Sequence, residues 1–450
     1  MIASLSKKLN HGHERSVKAR KNIIESVLTK GGSIIINFAL VPATINYVSP
    51  AEYGVWLTLS SIIAWFSFFD IGFGHGLRNK FAEAVANGDK KLAQAYVSTT
   101  YFILTMTVVV LWILFFTINI FLDWSKILNT SSNLSEELSR VALTVFSFFC
   151  VQFVFQLIGT ILTANQQAAK SSLFLFISNL CSLIAIIILS KVSKEGSLMM
   201  LATITGTFQV IILFGASIWF FSKKLKEYAP KYSLIDISHA KHLMGLGMKF
   251  FVIQIAAVLM FQTTNIVITQ LLGAEKVTVY NIAFKYFSAS TMLLGIITTP
   301  YWSAFTEAHT KKDFEWMRKI INQLTKVWYV VVIIIVAMLL LSNTIFKLWI
   351  GDKITIPFAL SVLMACTMIC NTRYSMFIIL INGTGKIKLQ LLLNVILSVM
   401  FIPLSISLGR VYGLNGIMSA NLIVSVIYAL VAPIQGKKII NQSATGIWNK

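Results

Sequence analysis

Twelve apolar runs follow one another along the chain, at about 31–48, 53–74, 96–121, 139–163, 171–190, 198–221, 246–272, 278–304, 326–346, 357–381, 388–408 and 413–434. Each approaches the roughly 20 residues that a helix needs to cross a bilayer core. They are rich in Leu, Ile, Phe and Val and lack the ten-residue alternation of lipid-facing barrel strands. Only helices and closed barrels keep every backbone polar group paired in hydrocarbon. The pattern therefore predicts an all-α polytopic membrane protein of about twelve spans.

The polar positions inside these runs are not scattered. In span 1, Lys30, Ser33, Asn37 and Thr44 share one helical face, and in span 2 so do Trp56, Ser60, Ser67 and Asp70. Span 7 carries Gln254, Gln262, Asn265 and Thr269 on one stripe, and span 8 carries Asn281, Lys285 and Ser288. Such stripes point at protein or water rather than lipid. Helix packing through small hydroxyl residues accounts for either of the first two equally well.

After span 2 comes a glycine-broken, charged stretch, Asp70 to Lys91. Phe81, Glu83, Ala84 and Asp89 within it recur as Phe305, Glu307, Ala308 and Asp313, displaced by 224 residues, about half the chain. The short outer loops Ala51-Glu52 and Ala274-Glu275 correspond as well. Two six-span lobes follow, 1–222 and 223–450, with the boundary in the lysine-rich segment Lys223 to Lys241. Having the same orientation, they would be related by an axis along the membrane normal. The amphipathic stretch Gly76 to Ala95, with Leu77, Phe81, Ala84 and Leu92 on its apolar side, is expected to lie along the cytoplasmic headgroups.

Charge refines the topology. The net charge of +21 suggests nucleic acid only until its distribution is read. Of the 38 Lys and Arg residues, eight fall in the loops of one side and three inside spans; the rest lie on the side of the termini. That asymmetry puts both termini in the cytoplasm, with no nucleic-acid partner required. Residues 1–30 are polar and basic, and no small-residue cleavage site follows the first apolar run, so no cleaved signal is expected. The four cysteines lie in apolar runs without metal-binding neighbours, so no metal or other cofactor is expected.

The three span charges are all basic: Lys249, Lys285 and Arg373. A charge at mid-bilayer costs about 2.5–3.5 kcal/mol on insertion scales and needs a reason. Lys285 lies about 12 Å below the outer end of span 8, at 1.5 Å per residue, next to Asn281 and Ser288. Arg373 has Asn371 and Thr372 beside it but Ile369, Met376 and Phe377 at helical spacing, so the pattern does not choose its face. Lys249 is placed to snorkel. Lys30 and Arg78 sit at cytoplasmic span ends, where a headgroup contact explains them equally well. No Asp or Glu lies mid-span, and Asp70 is close to a cytoplasmic end. A cationic cavity without carboxylates suits an anion such as a phosphate or diphosphate.

Phe69-Asp70-Ile71-Gly72-Phe73-Gly74, Gly76-Leu77-Arg78-Asn79-Lys80-Phe81-Ala82-Glu83-Ala84, Gly88-Asp89 and Tyr96-Val97-Ser98-Thr99-Thr100-Tyr101 resemble the bacterial polysaccharide flippases, as does Pro50-Ala51-Glu52-Tyr53-Gly54-Val55-Trp56. These are the Wzx-type O-antigen and capsule repeat-unit translocases of the multidrug/oligosaccharidyl-lipid/polysaccharide (MOP) superfamily. The resemblance spans the whole topology but is close in sequence only over the first hundred residues. It implies a MOP/MATE-like pair of lobes around a cationic cavity that opens alternately to either side. It also implies undecaprenyl-diphosphate-linked oligosaccharide as the substrate, moved to the periplasmic leaflet of the bacterial inner membrane. Membrane lipids and other polysaccharide-assembly proteins are its expected neighbours. The family fixes no universal catalytic residue, and no enzymatic activity is expected. Lys285 and Arg373 are cavity candidates by position, and Arg78 could receive the diphosphate at the inner mouth.

Two rivals remain. A cation-coupled drug antiporter of the same superfamily would call for buried carboxylates. A membrane polysaccharide polymerase would call for a large outer loop bearing carboxylates or His, and none of the six histidines lies mid-span.

Overall fold

The computed structural model describes residues 14–70, 72–165, 167–193, 195–240, 262–298 and 301–449. Each of the twelve apolar runs is helical through the body of its described residues. The elements are α1 (Glu14–Tyr47), α2 (Pro50–Ala64), a 3-10 turn (Trp65–Asp70), α3 (Phe73–Ala86), α4 (Lys90–Asn119), α5 (Ser135–Phe155), α6 (Leu157–Ala164), α7 (Ala168–Val192) and α8 (Leu198–Ser222). There follow α9 (262–272), α10 (Ala274–Thr298), α11 (Tyr301–Thr310), α12 (Phe314–Ile350), α13 (Phe358–Thr384) and α14 (Lys388–Ile440). The last holds two spans, divided at Gly413, whose φ of 60° and ψ of −138° break the helix. Among the described residues seven helices are long and apolar enough to cross a membrane. Helix α10 is not one of them, because Asn281, Lys285 and a run of hydroxyls interrupt its apolar surface.

By its contacts the chain divides into two compact units. The first comprises Met1–Ser49, Ile63–Ile127 and Ser131–Gln254; the second comprises Pro50–Ile62, Leu128–Thr130 and Ile255–Lys450.

In the first unit, α1 packs along α7, and α8 packs on α5 and α7. Helix α3 lies against α4 and α6, with Leu77 and Phe81 fully buried and Ala84 nearly so. This corrects the expectation that its apolar side rests on headgroups. An apolar stripe at i, i+4 and i+7 fits a protein surface as well as a lipid one, and here the protein takes it. The polar segment after α8 is strapped to the start of α4. Gln94 Nε2 donates to Ala229 O at 2.7 Å, Lys231 N to Ser98 Oγ at 3.0 Å and Asp236 N to Thr99 Oγ1 at 3.1 Å. The rings of Tyr96 and His239 meet at 5.0 Å. The Ser238 hydroxyl and N–H hold the Asp236 carboxyl below its ordinary range.

In the second unit, Phe305, Trp328, Phe377 and Leu380 share one core drawn from α11, α12 and α13. Here the sequence repeat becomes a structural one. Asp89 caps α4 by accepting from Leu92 N at 2.9 Å, and Asp313 caps α12 by accepting from Trp316 N at 3.0 Å. Asp89 N donates to Ala84 O and Asp313 N to Ala308 O, so each chain reversal closes in the same way. Phe81 and Phe305 are both fully buried. The left-handed residue is Gly88 in one copy (φ 76°) and Lys312 in the other (φ 59°). An L side chain there costs about 1 kcal/mol. Lys312→Gly is therefore expected to raise the unfolding temperature in detergent, and Asp313→Ala to lower it by removing a cap of about 1 kcal/mol; thermal melts of the two variants check both signs.

Candidate substrate site

The second unit carries a polar ladder joining α2, α9 and α10. It starts where the chain enters α2. Gly54 is buried against Ala274, and a Cβ at 54 would overlap the Ala274 carbonyl. Only glycine lets the two helices approach this closely. The approach brings Thr278 Oγ1 to donate to Pro50 O at 2.6 Å. One turn on, the hydroxyls of Thr58 and Thr269 meet at 2.6 Å. Below them Asn281 Nδ2 donates to Asn265 Oδ1 at 2.9 Å, and Asn265 Nδ2 donates to Ser61 Oγ at 2.8 Å. Asn265 and Asn281, expected in the cavity, are thus engaged with each other.

Lys285 follows Asn281 by one turn on the same face of α10 and is half-buried. Its Nζ donates to Tyr53 Oη at 3.1 Å and lies 5.9 Å from the centre of that ring. Tyr53 itself is buried. Among the described residues no carboxylate pairs with Lys285. A neutral phenol orients the ammonium without cancelling its charge.

Arg373 is also half-buried, on α13. Its guanidinium lies 5.1 Å from the centre of the Trp328 ring. Trp328 is fixed in turn, since its Nε1 donates to Thr372 Oγ1 at 3.2 Å. The residues flanking Arg373 could not reveal its face because the partner ring comes from another helix. Again no described carboxylate forms an ion pair with it, and the contact is cation–π.

The candidates of the first unit divide differently. Ser33 Oγ, Asn37 Nδ2 and Thr44 Oγ1 each donate to the carbonyl four residues back, at 2.8, 2.8 and 2.7 Å. Much of the span-1 stripe is therefore spent on its own helix. The Lys30 side chain and all of Gln254 lie outside the described residues; Gln262, of the second unit, is half-buried on α9. Asp70 and Arg78 do come together. Both line a cavity of about 430 Å³ within the first unit. Gly74 N donates to both carboxylate oxygens of Asp70, at 2.9 and 3.1 Å, which fixes the carboxylate at the entry to α3. Arg78 is exposed.

Sequence reasoning did not single out Tyr53, Trp328 or Gly54 as parts of a site. For Tyr53 and Gly54 the signal was present, since both stand in a stretch that resembles the flippases. For Trp328 there was none, because an aromatic residue in an apolar run reads as core.

The family described as polysaccharide biosynthesis protein matches residues 19–306. The putative O-antigen transporter of Salmonella typhi is 22% identical over 328 residues, covering 68% of this chain and 70% of that protein. The putative O-antigen export protein of Yersinia pseudotuberculosis is 22% identical over 368 residues, covering 79% and 81%. Among solved structures, the inward-facing conformation of a multidrug resistance MATE family transporter of the MOP superfamily superposes with a TM-score of 0.76 at 15% identity, over 91% of this chain and 95% of that one. A MOP superfamily transporter from Pyrococcus furiosus, described as having a binding pocket of reverse polarity, gives a TM-score of 0.66 at 15% identity, over 95% and 97%. At such identities the structural likeness establishes the fold, which is MOP/MATE-like and all-α.

Proposed function

This chain belongs to the polysaccharide biosynthesis protein family, and from that premise we propose that it moves undecaprenyl-diphosphate-linked oligosaccharide from the cytoplasmic to the periplasmic leaflet. It is a membrane transporter rather than an enzyme, as are the transport and export proteins it resembles. The observation that carries the substrate class is Lys285, an intramembrane ammonium held by Tyr53 Oη and by no described carboxylate. Arg373 over Trp328 is the second cation of this kind. Half-buried cations of this kind offset the desolvation of a diphosphate, whereas they repel a cationic drug.

The division of labour follows from the chemistry of the substrate. The prenyl chain stays in lipid, where it costs nothing to keep. The diphosphate passes along Lys285 and Arg373, and glycan hydroxyls find amides and hydroxyls on the flanking helices. With both termini cytoplasmic and the inside negative, each negative charge moved outward is favoured by about 2.3 kcal/mol per 100 mV. Alternating exposure of the site to the two faces of the inner membrane completes the cycle. The antiporter reading lacks its main requirement, since none of the 17 Asp and Glu residues lies mid-span.

Deletion of the gene tests the proposal. Lipid-linked repeat units are expected to accumulate on the cytoplasmic leaflet and surface polysaccharide to disappear. Single repeat units accumulating on the outer leaflet would instead assign the chain to polymerisation.

A further inference from the structure

The first unit holds a cavity lined by neither Lys285 nor Arg373. Five elements meet around it: the 3-10 turn after α2, then α3, α4, the α5–α6 junction and α7. The junction falls within span 4 at Gln156, between the end of α5 and the start of α6. Gly159 N donates back to Gln156 O at 2.9 Å and Thr160 N reaches the same oxygen at 3.4 Å, so the helical ladder continues but tightens by one 3-10 bond. The Gln156 side chain is exposed and lines the cavity. Gly159, one turn on, has no side chain, and a Cβ there would strike Ser171 Oγ; its absence lets α6 close on α7.

The lining has two faces. Its polar face presents Asp70, Arg78, Gln156, Thr160 and Ser171. No described residue hydrogen-bonds to the side chains of the last four, so an acid and a set of uncommitted donors and acceptors share one small volume. Its apolar face consists of Leu104, Phe153 and Leu157, all buried. A volume of about 430 Å³ lies in the range of small-molecule sites.

These features select a ligand class by exclusion. A diphosphate is disfavoured by Asp70, and a cation by Arg78. A hydrocarbon would strand the polar groups without partners. A pyranose fits both faces, because its hydroxyls donate and accept while its C–H faces are apolar. The geometry points to a glycan subsite that reads a neutral sugar of the repeat unit. This inference rests on the proposed transport of a lipid-linked oligosaccharide.

The test uses the full-length protein in detergent and two probes: undecaprenyl diphosphate without sugar, and the glycolipid that accumulates in the deletion strain. Binding of both is measured by calorimetry to the wild type, Gln156→Ala and Thr160→Phe. The first variant removes an exposed side chain and leaves the core intact; the second fills the cavity. Both are expected to weaken glycolipid binding by about tenfold, the size of one or two lost hydrogen bonds. The bare diphosphate is expected to bind them as it binds the wild type. Equal loss for both probes, or wild-type affinity for the glycolipid in both variants, overturns the subsite. Failure of the wild type to bind either probe overturns the transport reading, and the subsite with it.

Discussion

Lys285→Ala is expected to abolish surface polysaccharide while the protein remains in the membrane at its normal level. The two parts of this outcome have separate causes. Stability is spared because Lys285 forms no described ion pair and donates one hydrogen bond, to Tyr53 Oη at 3.1 Å. Its removal leaves a phenol oxygen without one donor rather than an uncompensated charge. Transport is lost because the diphosphate would then enter the site without its counter-charge. Removing one partner of a buried ion pair costs about 3–5 kcal/mol, a factor of roughly 150 to 5,000. Lys285→Arg keeps the charge and is expected to retain part of the activity. Tyr53→Phe keeps the ring beneath the ammonium but removes the oxygen that aims it, so a smaller loss is expected. Surface polysaccharide on gels, set against immunoblots of the membrane fraction, reads both quantities. Normal polymer in Lys285→Ala would remove this residue from the mechanism.

Gly54→Ala has the opposite signature, with loss of the protein itself. The added methyl would overlap the Ala274 carbonyl. Backbone cannot swing aside as a side chain can, so the outer half of α2 must move away from α10. Overpacking of this kind costs about 1–3 kcal/mol, occasionally more. The movement also strains the hydrogen bonds that depend on the close approach, Thr278 to Pro50 O first and Thr58 to Thr269 next. Gly31→Ala is the matched control. A Cβ at 31 meets nothing within 4 Å, and glycine within a helix is less stable than alanine by roughly 0.5–1 kcal/mol. Thermal melts in detergent should therefore show Gly54→Ala well below the wild type and Gly31→Ala at or above it. Equal melts for the two variants would contradict the packing described for Gly54.

Much of this was legible before any coordinates. The apolar runs gave the helices because hydrocarbon leaves a chain so few alternatives. The repeated Phe81–Asp89 and Phe305–Asp313 pattern was legible because a chain reversal has fixed local needs: an aspartate to cap the next helix and a residue able to turn left-handed. Lys285 stood out for its cost in a bilayer. What escaped depends on partners distant in sequence. Arg373 takes its environment from Trp328, and Asn265 is occupied by Ser61, 204 residues away. The apolar side of α3 could not be assigned to lipid or to protein from periodicity, since both demand the same stripe. The tightened turn at Gln156 escaped for another reason: the run around it reads as one continuous span.

The most direct test of the central claim is transport by purified protein in liposomes. The rate to measure is that at which the undecaprenyl-diphosphate glycan becomes accessible to a membrane-impermeant phosphatase. The account predicts rapid exposure with the wild type and a rate near that of protein-free liposomes with the Lys285→Ala/Arg373→Ala double variant. Exposure by the double variant as fast as by the wild type would contradict it.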